Sequence, residues 1–251
     1  MTTTTDLNRL LWLERADGDD TRTWESLTTE PEGLTEEPSE LGLWLRPGQA
    51  MTGCTLLAIH GGGFVSGSIA THRKMFGHLA LAAGLNTLVV EYGLVPEHVY
   101  PSQLDHVRGI FDAIPGRIAV VGDSCGATLA LDLKQAAALV LFSPWVDPGA
   151  TGASYDTGTD PFFTRDLVRG LAAAYGGGKP DLSHLPPTYV QVGAEEALLD
   201  DARLLAAENP DVAIDEFAGQ LHTFQMAAGH SPAADDAIMR AGQWLRRTLG
   251  S

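Results

Sequence analysis

The chain has 251 residues, 44 % of them hydrophobic and 19 % charged, enough apolar material for one large α/β domain with a full core and too much for a disordered chain. Its formal net charge of −16 argues against nucleic acid or an anionic membrane surface as a partner, and its two cysteines, Cys54 and Cys125, make no disulfide framework. No apolar stretch approaches a membrane span, the start Met1-Thr-Thr-Thr-Thr-Asp6 lacks the basic and apolar regions of a signal peptide, and no His/Cys cluster has metal-ligand spacing; the expectation is a cytoplasmic protein without metal or cofactor.

Leu7, Leu10, Leu11 and Leu13 fall roughly on one helical face. Turn-rich acidic sequence follows, and Asp17-Gly-Asp-Asp20 and Glu36-Glu37-Pro-Ser-Glu40 read as solvated loops. Leu41-Gly-Leu-Trp-Leu45 predicts a strand ended by Pro47-Gly48, and 54–59 a short apolar strand buried on both faces. That strand runs into His60-Gly61-Gly62-Gly63-Phe64. From there the pattern alternates: helix 71–83, strand 85–91, a loop over 92–101, a helix over about 102–114, a strand over 117–122 with helical sequence at 127–133, and a strand over 137–142 closed by Ser143-Pro144-Trp145. Residues 147–186 break it with a Gly/Thr/Asp-rich run, a helix over 164–175 and a second glycine cluster. It resumes with strand 188–192, helix 199–208, strand 212–217 and a helix over about 233–249 that carries Ile238, Ala241, Trp244 and Leu245 at core spacing. Such repetition predicts an α/β fold with a mostly parallel central sheet and helices on both faces. Residues 1–251 then form one domain, with 1–40 and 147–186 as a reduced lid over the carboxyl ends of the strands.

The chemistry is concentrated at Gly122-Asp123-Ser124-Cys125-Gly126, a G-x-S-x-G pattern between a strand and a helix. A strand that turns this sharply leaves no room for side chains beside the serine, so glycines flank it. The turn pushes the Ser124 hydroxyl out of the sheet, and the helix start beneath it favours developing negative charge. A serine hydroxyl needs a base, and the base needs an orienting group. Of the histidines after Ser124, His222 stands in a loop just after a strand, where an ordered base belongs; His184 and His230 read as solvent or capping residues. The acid belongs after the preceding strand, in Gly193-Ala-Glu195-Glu196-Ala-Leu-Leu-Asp200-Asp201. Position alone leaves four candidates: Glu195, Glu196, Asp200 and Asp201. The consecutive glycines after His60 let backbone N–H groups face a substrate oxyanion, opposite the N–H of Cys125.

In these motifs the chain resembles the hormone-sensitive-lipase-like branch of the α/β-hydrolases, small bacterial esterases and acetyl hydrolases. The resemblance runs from about Leu56 onward. It rests on His60-Gly-Gly-Gly-Phe64, on Tyr92-Gly-Leu-Val-Pro-Glu-His-Val-Tyr-Pro101, on the serine pentapeptide, on Asp160-Pro-Phe-Phe-Thr-Arg165 and on His222-Thr-Phe-Gln225. It implies the α/β-hydrolase fold, and its spacing to Leu198 and Asp200 puts Glu196 at the acid position, where many members carry Asp. Cys125 stands where alanine is usual, Ala127 where glycine is common and Gly93 where arginine is common. The segments 102–116, 129–136 and 176–186 look shortened against typical members.

The resulting expectation is a serine hydrolase that cleaves small carboxylic esters through an acyl-enzyme. Ser124 is its nucleophile, His222 its base and Glu196 its acid, and the N–H groups of Gly61, Gly62 and Cys125 form the oxyanion hole. Asp123 reads as a hydrogen-bonding partner of neighbouring loops, and Phe64, Trp145 and Phe162 as substrate-binding aromatics. The expected partner is a small-molecule ester or related acyl substrate, and a homodimer is allowed for. The same groups would serve lactone or amide hydrolysis, acyl transfer, or a lyase or cyclase step; a binding protein on the hydrolase fold is the competing class.

Overall fold

Along the strand β3 (Cys54–Ile59), successive side chains enter opposite layers. Leu57 and Ile59 join one hydrophobic cluster, and Leu56 and Ala58 the other. The same alternation runs through β5 (Arg117–Asp123) and β6 (Ala138–Phe142). This two-residue period, apolar on both faces, is what a parallel sheet covered on each side requires. The computed structural model describes residues 6–157 and 159–250. Within them, β1 (Leu34–Ser39), β2 (Gly42–Pro47), β4 (Asn86–Val90), β7 (Thr188–Gly193) and β8 (Ala213–Phe217) complete an eight-stranded sheet. Its order is β1-β2-β4-β3-β5-β6-β7-β8. Pairing is parallel from β4 to β8, and β1 and β2 join antiparallel at one edge.

The helices divide between the two clusters. On one face lie α2 (Ile69–Ala83) and α7 (Pro232–Leu249), with α1 (Leu7–Ala16) at the end of that layer. On the other lie α3 (Ser102–Ala113), the short α4 (Cys125–Ala130), α5 (Arg165–Tyr175) and α6 (Leu199–Glu208). No helix among the described residues is long and apolar enough to cross a membrane.

Two local readings change. The stretch 34–39, expected as an acidic loop within the lid, is the edge strand β1, paired with β2 from Leu34–Pro47 to Ser39–Gly42. Its Pro38 and exposed Glu36 and Glu37 fit an edge: proline costs no ladder bond there, and charge discourages pairing with other chains. Glu36 and Glu37 are met by Arg73 and Arg46. The elbow helix is also short, because Leu131, Asp132 and Leu133 turn back toward β6 instead of continuing it.

The crossing of α2 and α7 is set by Gly242. A Cβ there would lie 2.5 Å from the Ala82 carbonyl carbon and 2.7 Å from its Cβ. Gly242→Ala should therefore force the helices apart and lower the unfolding free energy by about 1–3 kcal/mol, as overpacking of a filled core does. Urea denaturation checks this; an unchanged midpoint would mean that the crossing yields freely.

Candidate active site

Ser124 ends β5 in a backbone conformation that L-residues avoid, φ 52° and ψ −120°. The strain is held by three backbone bonds: Ser124 N–H donates to the Phe142 carbonyl, and the N–H groups of Ala127 and Trp145 both donate to the Ser124 carbonyl. Both flanking glycines are required by close approach. A Cβ on Gly122 would meet the Gly126 carbonyl oxygen at 2.5 Å, and one on Gly126 the Ile59 oxygen at 2.3 Å. The G-x-S-x-G pattern is thus a steric consequence of folding a helix back against its own strand.

His222 follows β8 and turns into the cavity at Thr223, which has φ 49°. Its Nε2 lies 3.0 Å from Ser124 Oγ, and its Nδ1 lies 3.1 Å from Glu196 Oε1. Glu196 accepts only, so Nδ1 carries the hydrogen and Nε2 is left to accept from the serine hydroxyl. Glu196 is 1 % exposed, His222 2 % and Ser124 7 %. The second carboxylate oxygen of Glu196 accepts from the Gly193 N–H at 2.8 Å and the Ser143 hydroxyl at 2.7 Å. Ser143 in turn accepts the Thr223 N–H at 3.0 Å, so one hydroxyl ties the acid to the loop that carries the histidine. On the sequence Ser143 reads only as a break after β6; its positive φ of 45° is what aims it inward.

The other three carboxylates of the acid loop are occupied elsewhere. Glu195 pairs with Arg9 at 2.6 Å. Asp200 accepts the Ser154 N–H and meets Arg203. Asp201 is buried, pushed up to about 7 by desolvation, and holds the N–H groups of Val146 and Asp147. Of the four positions left open by sequence position alone, only Glu196 reaches His222.

The glycine turn corrects one assignment. The Gly61 N–H donates to Asp123 Oδ1 at 2.9 Å, so it is not free for an oxyanion. Asp123, beside Ser124, clamps this loop. Gly62 and Gly63 line the cavity next to Ser124. Among the described residues the N–H groups of Gly62 and Cys125 donate to no partner. The Gly63 N–H has only the weakly accepting Cys125 sulfur beside it. That sulfur, buried and pushed up to about 12 by desolvation, accepts the Phe64 N–H at 3.3 Å and packs the loop down.

Residues 56–226 match the alpha/beta hydrolase fold family. The chain belongs to this family. It is 34 % identical over 240 residues to an acetyl-hydrolase of Streptomyces hygroscopicus, covering 82 % of this chain and 80 % of that one. It is 33 % identical over 227 residues to an esterase of Acinetobacter venetianus, covering 76 % and 74 %. The crystal structure of an esterase from the bacterial hormone-sensitive lipase family superposes with a TM-score of 0.87 at 31 % identity, over 100 % of both chains. The motif resemblance and the eight-stranded fold therefore agree.

In this hydrolase the cavity above Ser124 and His222 has a volume of about 160 Å³. Phe162 lines it. Phe64 and Trp145 do not: Phe64 is fully buried, stacks on Tyr175 at 3.8 Å, and shares with Trp145 a separate, smaller cavity behind α5. An aromatic next to a motif can turn into either layer, and these two turn inward. Trp12, Trp24 and Phe163 also line the Ser124 cavity, the first two without a motif to mark them as cavity aromatics. Phe163 sits edge-on to the His222 ring at 4.4 Å. Trp12 and Asn8 of α1 both donate to the His222 carbonyl, at 2.9 and 3.1 Å. Among the described residues no group of three or more His, Cys, Asp or Glu side chains converges as a metal ion would need.

His60 supports the glycine turn from beneath. Its ring stacks on Tyr92 at 4.3 Å, and its Nδ1 lies 2.7 Å from the Gly61 carbonyl. Burial, and then the neighbouring His72, push it down to about 4. It is therefore neutral in the fold, whereas an unfolded histidine protonates near 6.5. Stability held through His60 is present above pH 6.5 and is lost as the pH falls from there toward 4. Denaturant unfolding of the parent and of His60→Asn between pH 7 and 4 should show the shallower decline in the variant; equal slopes would assign the acid loss to other groups.

Proposed function

We propose that this chain hydrolyses small carboxylic esters through an acyl-enzyme on Ser124. The observation that carries the reading is the unbroken chain from Glu196 Oε1 through the His222 ring to Ser124 Oγ, in links of 3.1 and 3.0 Å. Ser124 Oγ attacks the ester carbonyl while His222 Nε2 takes its proton. Glu196 keeps Nδ1 protonated and stabilises the imidazolium. The N–H groups of Gly62, Gly63 and Cys125 receive the oxyanion, each donor of this kind being worth about 3 kcal/mol in the transition state. His222 then gives the proton to the leaving alcohol. Water adds to the acyl carbonyl with His222 again as base, the carboxylic acid leaves, and the serine regains its proton.

The relatives' names, acetyl-hydrolase and esterase, support ester substrates. Cavity size supports short ones, since a space of about 150 Å³ takes a group the size of benzene. Segments 6–33 and 147–186 supply Trp12, Trp24, Phe162 and Leu171 to the cavity wall, and in this reading they act as the lid of a single domain.

Ser124→Ala should lower kcat for p-nitrophenyl acetate by roughly 10⁴-fold or more with unchanged far-UV circular dichroism. Unchanged turnover would end the proposal. Glu196→Gln and Asp200→Asn, measured side by side, should show the larger loss in Glu196→Gln; the reverse order would remove Glu196 from its role.

A further inference from the structure

The surface of the Ser124 cavity is mostly apolar, with one guanidinium in its wall. Arg15, in the last turn of α1, lines the same cavity as Ser124 and His222. Its Cζ lies 5.0 Å from the centroid of the Trp24 ring, which gives the flat group a platform. Arginine brings five N–H donors, and among the described residues those of Arg15 make no hydrogen bond at all. Nε is buried and without a partner. The nearest counter-charge is Asp20, 3.7 Å away and with 82 % of its side chain exposed, which is too long for a hydrogen bond and open to screening.

This sets Arg15 apart. Arg9, Arg22, Arg46, Arg73, Arg108 and Arg117 each donate to a carboxylate or a carbonyl. So do Arg165, Arg169, Arg203, Arg240 and Arg246. The remaining arginine, Arg247, is exposed and has water for its donors. Arg15, with only 23 % of its side chain exposed, is the one partly buried arginine among the described residues whose fork is unspent. A guanidinium whose Nε is buried without a partner is costly unless something fills that donor.

Resting on the ester-hydrolase reading above, we infer that the preferred substrate is an ester bearing a carboxylate, held by Arg15 on the wall of the cavity. Carboxylate geometry matches the arginine fork, and the Trp24 face fixes the plane of the fork. The cavity's own carboxylate, Asp123, does not oppose this directly: it is taken up by the Gly61 N–H and faces His72 Nε2 at 3.4 Å. The chain's charge of −16 repels anions in general, so a preference for an anionic ester has to come from a local cation.

The test is a ratio measured on one preparation by pH-stat at pH 7.5. On the acyl arm, kcat/KM for monomethyl glutarate is divided by that for methyl valerate. On the alcohol arm, 4-acetoxybutanoate is divided by pentyl acetate. Wild type should favour the anion by about tenfold or more on one arm, which identifies the arm facing Arg15. Arg15→Met should lower that ratio by about tenfold or more, and Arg15→Lys should keep part of it. Because each ratio is internal to one protein sample, partial misfolding of a variant cancels. A wild type that favours the neutral ester on both arms, or a ratio that survives in Arg15→Met, would overturn the inference. Ser124-dependent turnover of the neutral esters would at the same time leave the hydrolase reading standing; its absence would bring that down separately.

Discussion

A carboxylate taken out of water keeps its charge only if its oxygens are engaged, and Glu196 has three donors for two oxygens: the His222 ring, the Gly193 amide and the Ser143 hydroxyl. Each donor comes from a different part of the chain, after β8, at the end of β7 and after β6. The engagement of one side chain therefore fixes the spacing of three strand ends. Everything in the proposed chemistry follows from that constraint, because the carboxylate also decides which nitrogen of His222 is left to face Ser124. Glutamate's extra methylene is absorbed by the short span from Gly193, whose N–H the side chain folds back to accept.

The histidine is held from both sides. Its ring is fixed by Glu196 and flanked by Phe163, and its carbonyl accepts two side-chain donors from α1. Helix α1 therefore meets the site twice: Asn8 and Trp12 secure the loop while Trp12 and Arg15 form cavity wall. The strained serine is held likewise, by the Phe142 carbonyl in front and the Trp145 amide behind. Rigid support of this kind lets a nucleophile and base stay within hydrogen-bond reach before substrate arrives.

Most of the sheet was legible because its strands are buried on both faces, so that β3, β5, β6 and β7 stand out as short apolar runs between helical sequence. The edge strand β1 was not, since one of its edges and much of its surface meet water and its composition is that of a loop. Ser124 and His222 were legible from motif and chain order. Glu196 needed the resemblance, because four carboxylates share its loop and only folding sends Glu195, Asp200 and Asp201 to other partners. The three glycine amides after His60 are equivalent on paper; the reach of Asp123 to Gly61 is a three-dimensional fact. Phe64 and Trp145 look like cavity residues for the same reason that they fill the core: they are large, apolar and next to motifs. Trp12 and Arg15 lie more than a hundred residues before the serine, and the leucine face of their helix gives no hint that its ends reach the cavity.

If His222, oriented by Glu196, makes Ser124 nucleophilic, the rate and site of labelling with a fluorophosphonate, followed by intact-mass and peptide mass spectrometry on the wild type and His222→Ala, will report it. The wild type should carry a single adduct on Ser124, formed orders of magnitude more slowly in the variant. An adduct on another residue, or equal labelling rates at Ser124 in both proteins, would contradict that role of His222.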